Sequence, residues 1–204
     1  MWTEYQNKLT QVRKTDQKEF VVAKLEEMQK RHAKYKFSME PNIKEGIGGL
    51  RDGNTLFWLA TAIYRINSNK ELAGRLFSEA EYKEYRLGIE FLFKLRNALH
   101  LGLGKKEDTL KLQNQRDMAL KLGFKDTKTQ KAENYLVSKT LKYMRAINIF
   151  CSINCDKLAR KMFVGESSQA LLRHGRTKNG FYILDNTAYL PFNAQKNSLF
   201  EALK

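Results

Sequence analysis

The sequence predicts an all-α protein: a multi-helix bundle with two long helices, followed by a small irregular C-terminal segment that holds a candidate short strand. Three observations predict it. Apolar residues recur at 3–4 spacing along most of the first 163 positions, the period of one helix face. Two helix-start signatures, Ser78-Glu79-Ala80-Glu81 and Thr127-Lys128-Thr129-Gln130, stand just ahead of the two longest such runs. The non-helical chemistry gathers in one place, residues 40–52, with three of the twelve glycines and one of only two prolines.

In chain order, Trp2, Tyr5, Leu9 and Val12 predict a first helix over about 2–13. Thr15 or Asp16 caps a second, with Val21, Leu25, Met28, His32 and Tyr35 on its seam. His32 reads either as a satisfied, partly buried histidine or as a ligand or base. Leu56, Leu59, Ala60, Ile63 and Ile66 mark a third helix, widened by Phe57 and Trp58 and ended by Asn67-Ser68-Asn69. Residues 71–77 read as a short helix or turn. The Ser78 signature opens a long helix carrying Tyr82, Tyr85, Ile89, Leu92, Arg96 and Leu99. Arg96 interrupts that stripe and needs a partner, through an internal salt bridge or as a second basic contact to the 40–52 stretch. Gly102-Leu103-Gly104 breaks the helix, 105–112 is a charged loop, and 113–122 is a short helix stopped by Gly123. The Thr127 signature opens the last long helix, about 128–162, with Leu136, Tyr143, Ile147, Phe150 and Ile153. Asn179-Gly180 then predicts a turn, 181–184 a short strand, and 193–203 a final helix. The division expected is a helical domain over 1–163 and a lead-in to a further domain over 164–204.

Composition narrows the function classes. Apolar residues make up 42% of the 204 positions, too many for a disordered chain. No apolar run approaches the roughly 18 residues that span a bilayer, and no basic-then-apolar start suggests secretion. Cys151 and Cys155 lie four apart in a helical pattern, a spacing for two reduced thiols rather than a disulfide. A cytoplasmic protein without membrane contact is expected. The net charge of +15 invites an anionic partner, but it comes from 25 Lys against 12 Arg and is spread along the chain. A lysine-rich solvated surface explains it more simply than nucleic-acid binding does.

Glu40-Pro41-Asn42-Ile43-Lys44-Glu45-Gly46-Ile47-Gly48-Gly49-Leu50-Arg51-Asp52 is the candidate site. Pro41 holds Glu40 extended. The glycines permit positive φ and let backbone N–H groups approach an anion. Arg51 and Asp52 fall in the first turn of the next helix, where its dipole favours a carboxylate or a phosphate. The layout offers Lys44 and Arg51 as candidates to bind phosphate, Gly48 and Gly49 to cradle it, and Asp52 as a candidate carboxylate, catalytic or for Mg²⁺. The plainer reading is a Gly-rich elbow between two helices.

This stretch resembles the signature of bacterial PII-protein uridylyltransferase/uridylyl-removing enzymes, in the helical region after their nucleotidyltransferase core. The resemblance extends to Gln29-Lys30-Arg31-His32-Ala33-Lys34-Tyr35, to Phe93-Lys94-Leu95-Arg96-Asn97-Ala98-Leu99-His100, and to Asp108-x-Leu110 followed by Gln115-x-x-Met118-Ala119. Together these span about 16–162. The Gly-Gly-Leu-Arg-Asp core is shared in kind with the glutamine synthetase adenylyltransferases. Ile47 and Gly53 depart from the family pattern, and both are expected to loosen the turn.

The resemblance implies a parent enzyme that uses UTP and Mg²⁺ to place UMP on the nitrogen-regulatory PII protein. Residues 40–52 would line its nucleotide cleft, with Glu40, Arg96 and His100 bracing the loop. The chain contains no Asp-x-Asp and no His-Asp pair, which the family's two activities need. The expectation is therefore a middle piece lacking both catalytic machines, inactive alone, with no tightly bound cofactor and with a missing nucleotidyltransferase domain as partner. An adenylyltransferase-type or other nucleotidyltransferase helical domain, and a non-catalytic basic binding module, remain as alternatives.

Overall fold

The structure, a computed structural model, describes residues 17–164, 182–184 and 187–189. The predicted helices over 2–13 and 193–203 lie outside these residues. Five α-helices form the bundle: α1 Gln17–Lys34, α2 Leu50–Tyr64, α3 Glu79–Leu103, α4 Leu112–Lys121 and α5 Ala132–Val164, with a 3-10 turn at Asn69–Leu72. Strands β1 Tyr182–Leu184 and β2 Thr187–Tyr189 pair antiparallel, with Ile183 opposite Ala188.

The predicted all-α bundle with two long helices is observed, the long ones being α3 and α5 at 25 and 33 residues. α5 is the central post: α2, α3 and α4 all pack on it, and α1 lies against α2 and α5. Leu56 and Leu59 of α2, Leu92, Leu95 and Leu99 of α3, and Leu136, Ile147 and Leu158 of α5 are fully buried. Each such side chain contributes about 1.5–3 kcal/mol relative to exposure. Cys151 and Cys155 are free thiols inside this core, and burial pushes both of them up from the usual thiol range.

Local signals explain most helix ends. The Ser78 box forms as expected: Glu81 N–H donates to Ser78 Oγ at 3.2 Å, and Ser78 N–H donates back to Glu81 Oε2 at 2.7 Å. α3 runs through Gly102 and stops at Gly104, whose φ is +63°. Gly102 instead makes room for α4, since a Cβ there would lie 2.7 Å from Met118 Cε.

Two ends differ from expectation. α2 stops at Tyr64, because Arg65 turns left-handed at φ 55° and Ile66 drops into the core off the helix. The Asn67-Ser68-Asn69 stretch then starts the 3-10 turn, with Ser68 as its cap. The Thr127 signature does not open α5. Thr127 and Gln130 close on each other as a turn, and the helix begins at Ala132. Its first N–H is taken by Asp126 Oδ1 at 2.8 Å.

Candidate functional site

The stretch 40–52 is sewn to the loop before α4. Residues 39–43 run antiparallel to 108–112 through an isolated bridge between Asn42 and Thr109. Ile43 N–H donates to Asp108 O at 2.8 Å, and Leu110 N–H to Pro41 O at 3.0 Å. Glu40 Oε1 accepts the Leu112 N–H at 2.7 Å, serving the start of α4. Gln115 Nε2 reaches back to Met39 O at 2.7 Å and Leu110 O at 3.2 Å. Asn42 Oδ1 then accepts the N–H groups of Lys44 and Glu45, which starts the turn.

Every backbone N–H from Ile43 to Asp52 has a partner within the chain. Gly46 donates to Asn42 O, Ile47 to Tyr35 O, Gly49 to Gly46 O, Leu50 to Ile43 O, Arg51 to Lys44 O and Asp52 to Gly49 O. Gly48 donates to Asp52 Oδ2 at 2.7 Å. At Gly48 and Gly49, where a phosphate cradle is expected, both N–H groups donate within the turn itself. The glycines instead admit protein. A Cβ on Gly49 would lie 2.6 Å from Lys44 O, and one on Gly48, at φ +72°, only 1.7 Å from Met144 O on α5.

The two positions expected to loosen the turn, Ile47 and Gly53, both have close neighbours. The Ile47 N–H reaches Tyr35 O at 3.4 Å. Gly53 lies inside α2, and the space a Cβ would take is filled by Tyr85 Oη at 2.7 Å and Ile89 Cδ1 at 3.0 Å.

Asp52 is fully buried. Arg31 Nη2 donates to its Oδ1, and His32 Nε2 lies 2.9 Å from both its oxygens. His32 is thus the satisfied, partly buried histidine of the plainer reading. These contacts bear on the magnesium expectation. Mg²⁺ needs open oxygen ligands and room for water, whereas this carboxylate faces a guanidinium in the interior. No group of three or more His, Cys, Asp or Glu that could hold a metal occurs among the described residues. The residues around Asp52 do not fit the ion. Arg31 keeps Nε and Nη1 buried without a partner, so the pair is held at a desolvation cost.

Lys44 and Arg51 point elsewhere, into a half-exposed charged strip. Lys44 Nζ lies 3.4 Å from Glu45 and 3.7 Å from Asp108. Arg51 Nη2 meets Glu45 at 3.1 Å, and its guanidinium sits 5.9 Å from the Trp58 ring centre. Arg96 Nε and His100 Nε2 both reach Asp108 Oδ1, at 2.7 and 3.1 Å. Both readings of Arg96 meet here: it is salt-bridged internally, and the shared carboxylate links it to Lys44. Burial pushes the Asp108 carboxyl up, but Arg96, His100 and Lys44 outweigh it and hold it below the usual range. Glu45 behaves alike: burial raises it, and Arg51 and Lys44 bring it below.

Arg31, Asp108, Asn42 and Gln115 carry the site, and residue pattern alone did not assign them roles. Arg31 stands one position off the α1 seam in a run of basic residues, and Asp108 sits in a loop that reads as merely charged. The Asx turn at Asn42 was the one local signal that could have been read.

Fold and site together define a helical domain that stiffens a Gly-rich elbow and presents a charged strip beside it. Residues 19–154 match the family model described as GlnD PII-uridylyltransferase, and the chain belongs to that family. It is 42% identical over 110 residues to the bifunctional uridylyltransferase/uridylyl-removing enzyme of Nitrobacter hamburgensis, covering 52% of this chain and 12% of that protein. The enzymes of the same name from Bradyrhizobium diazoefficiens and Ruegeria pomeroyi are 35% and 32% identical over 165 and 176 residues. Those matches cover 76% and 84% of this chain but only 18% and 19% of the relatives' length. No solved structure matches the chain. No helix among the described residues is long and apolar enough to cross a membrane.

Proposed function

We propose that the chain acts as the helical domain of a cytoplasmic nucleotidyltransferase that moves UMP from UTP onto the PII protein. The elbow of residues 40–52 forms one wall of the nucleotide cleft, facing a nucleotidyltransferase domain. Lys44 and Arg51 neutralise phosphate charge there. Gly48 and Gly49 keep the elbow tight rather than touching the ligand. Glu40, Arg96 and His100 brace it through Leu112 and Asp108. Magnesium, which neutralises triphosphate charge when bound, is held by carboxylates of the partner domain. The observation that carries this reading is the family match over 19–154, which contains the whole elbow and its braces.

The test is a chimera in which residues 17–164 replace the matching segment of the Bradyrhizobium diazoefficiens enzyme. Labelled UMP transfer to PII is expected to persist. Lys44→Met with Arg51→Met is expected to cut transfer at least tenfold in a chimera that still folds. A folded chimera without transfer, or transfer indifferent to the double substitution, overturns the reading.

A further inference from the structure

We propose that Asp52 is a positioning residue gripped by Arg31 and His32 of α1, and that this three-residue clamp sets the presentation of Lys44 and Arg51. The inference rests on the cleft reading for what the elbow presents, but not for the clamp itself.

The argument starts from where the Asp52 oxygens go. Oδ2 accepts the N–H of Gly48, the one residue of the elbow at positive φ. Oδ1 takes Arg31, and His32 spans both oxygens. A single carboxylate therefore ties the tightest point of the turn to the last part of α1. Charge chemistry makes the tie specific. An unpaired buried carboxylate is strongly disfavoured, so Asp52 needs the cation, and Arg31 at 7% exposure needs the anion. The two consecutive residues reach one carboxylate from the same helix end, which fixes how α1 and the elbow sit.

Presentation follows from the backbone between the clamp and the strip. Gly48 lies between Lys44 and Arg51, and the Arg51 N–H closes on the Lys44 carbonyl at 2.9 Å. With Gly48 tethered, the two cations leave the turn in a fixed relation and meet on Glu45, at 3.4 and 3.1 Å. Without the tether, the Gly48 N–H loses its acceptor, and the pair loses its common frame. In this arrangement α1 bears on the geometry of the strip through the clamp, in addition to the charge of Glu27 that Arg51 feels directly. Arg31 and His32 are the residues through which a displacement of α1 would reach Lys44 and Arg51.

Three variants test the clamp by amide exchange at Gly48 and by thermal midpoint: Arg31→Met, Asp52→Leu and the two combined. Asp52→Leu strands the Arg31 guanidinium, Arg31→Met leaves Asp52 with only His32 and the Gly48 N–H, and each lowers the midpoint. The combination removes both charges and recovers most of it. Gly48 exchange should nonetheless be at least 30-fold faster in the combined variant. Recovery of slow Gly48 exchange together with the midpoint makes the pair merely structural and overturns the proposal. Titration of the unaltered chain with Mn²⁺ is a check that needs no variant. The Gly48 and Asp52 amides should keep their line widths, and selective broadening there restores a metal role and overturns the clamp. Transfer by the chimera separates the two readings. Loss with Lys44→Met and Arg51→Met but full activity in the combined clamp variant sinks the clamp alone. Fast Gly48 exchange beside indifference to the Lys44 and Arg51 changes sinks the cleft alone.

Discussion

Gly48 lies so close against the backbone of Met144 that a Cβ on it would stand 1.7 Å from the Met144 carbonyl oxygen. Helix backbone cannot yield as a side-chain tip can. A Gly48→Ala substitution also inherits φ +72°, which an L-residue adopts at a cost of roughly 1–2 kcal/mol. Overpacking adds about 1–3 kcal/mol. Urea unfolding should show a loss near 3 kcal/mol, and a loss below about 1 would mean that α5 moves away freely.

The second close approach is against a side chain, so it should be repairable. Gly53→Ala drives a methyl into Tyr85 Oη at 2.7 Å and destabilises the protein. Tyr85→Phe removes that oxygen. The double variant Gly53→Ala/Tyr85→Phe should then be more stable than Gly53→Ala alone, because the overpacked contact is gone. A double-mutant cycle with no coupling between 53 and 85 would sink this account.

The difference between these two glycines shows what the sequence can and cannot carry. Periodicity located four of the five helices, because burial on α5 selects one face of each neighbour, and the Gly123 stop marked the short remaining one, α4. The Ser78 box was legible because donor and acceptor lie three residues apart. Thr127-Gln130 has the same letters, yet Asp126 offers the α5 start a better acceptor and the box folds on itself. Asp52 is visible in the stretch as a carboxylate, but its partners Arg31 and His32 come from another helix. Phosphate donors and turn donors are the same N–H groups, and only their directions distinguish them. Gly53 read as looseness because Tyr85, on α3, fills the space it leaves.

Capping can be checked with three single substitutions. Ser78→Ala should cost about 1 kcal/mol through the lost N-cap bond. Asp126→Ala should cost more than Thr127→Ala, because Asp126 holds both the Ala132 N–H and Arg116, whereas Thr127 holds only its own turn. The reverse order in thermal melts would put the start of α5 back at Thr127.

Acid should weaken the strip in a defined window. The Asp108 carboxyl is held below its ordinary range in the folded chain, because Arg96, His100 and Lys44 outweigh burial. The unfolded chain therefore takes up the proton first as pH falls, and stability contributed by Asp108 is present above about pH 4 and lost below it. Glu45 shifts in the same direction. Urea midpoints between pH 6 and pH 2 should fall in the lower half of that range. In Asp108→Asn the fall should be shallower, with Glu45 leaving a residual slope. An unchanged slope would show that the bonds to Asp108 carry no net stabilisation.

The seat of Gly48 on Met144, and of Ile43 on Asp108, has a consequence for the order in which the protein is made. The elbow emerges from the ribosome well before α3 has been built, yet the surfaces that shape it belong to the loop before α4 and to α5. At ordinary synthesis rates it waits on the order of ten seconds for them. During that interval its glycines leave the chain supple, and Asp52 has only the end of α1 to hold. The part of the sequence with the most recognisable motif therefore lacks the neighbours that shape it until Asp108 and Met144 have been made.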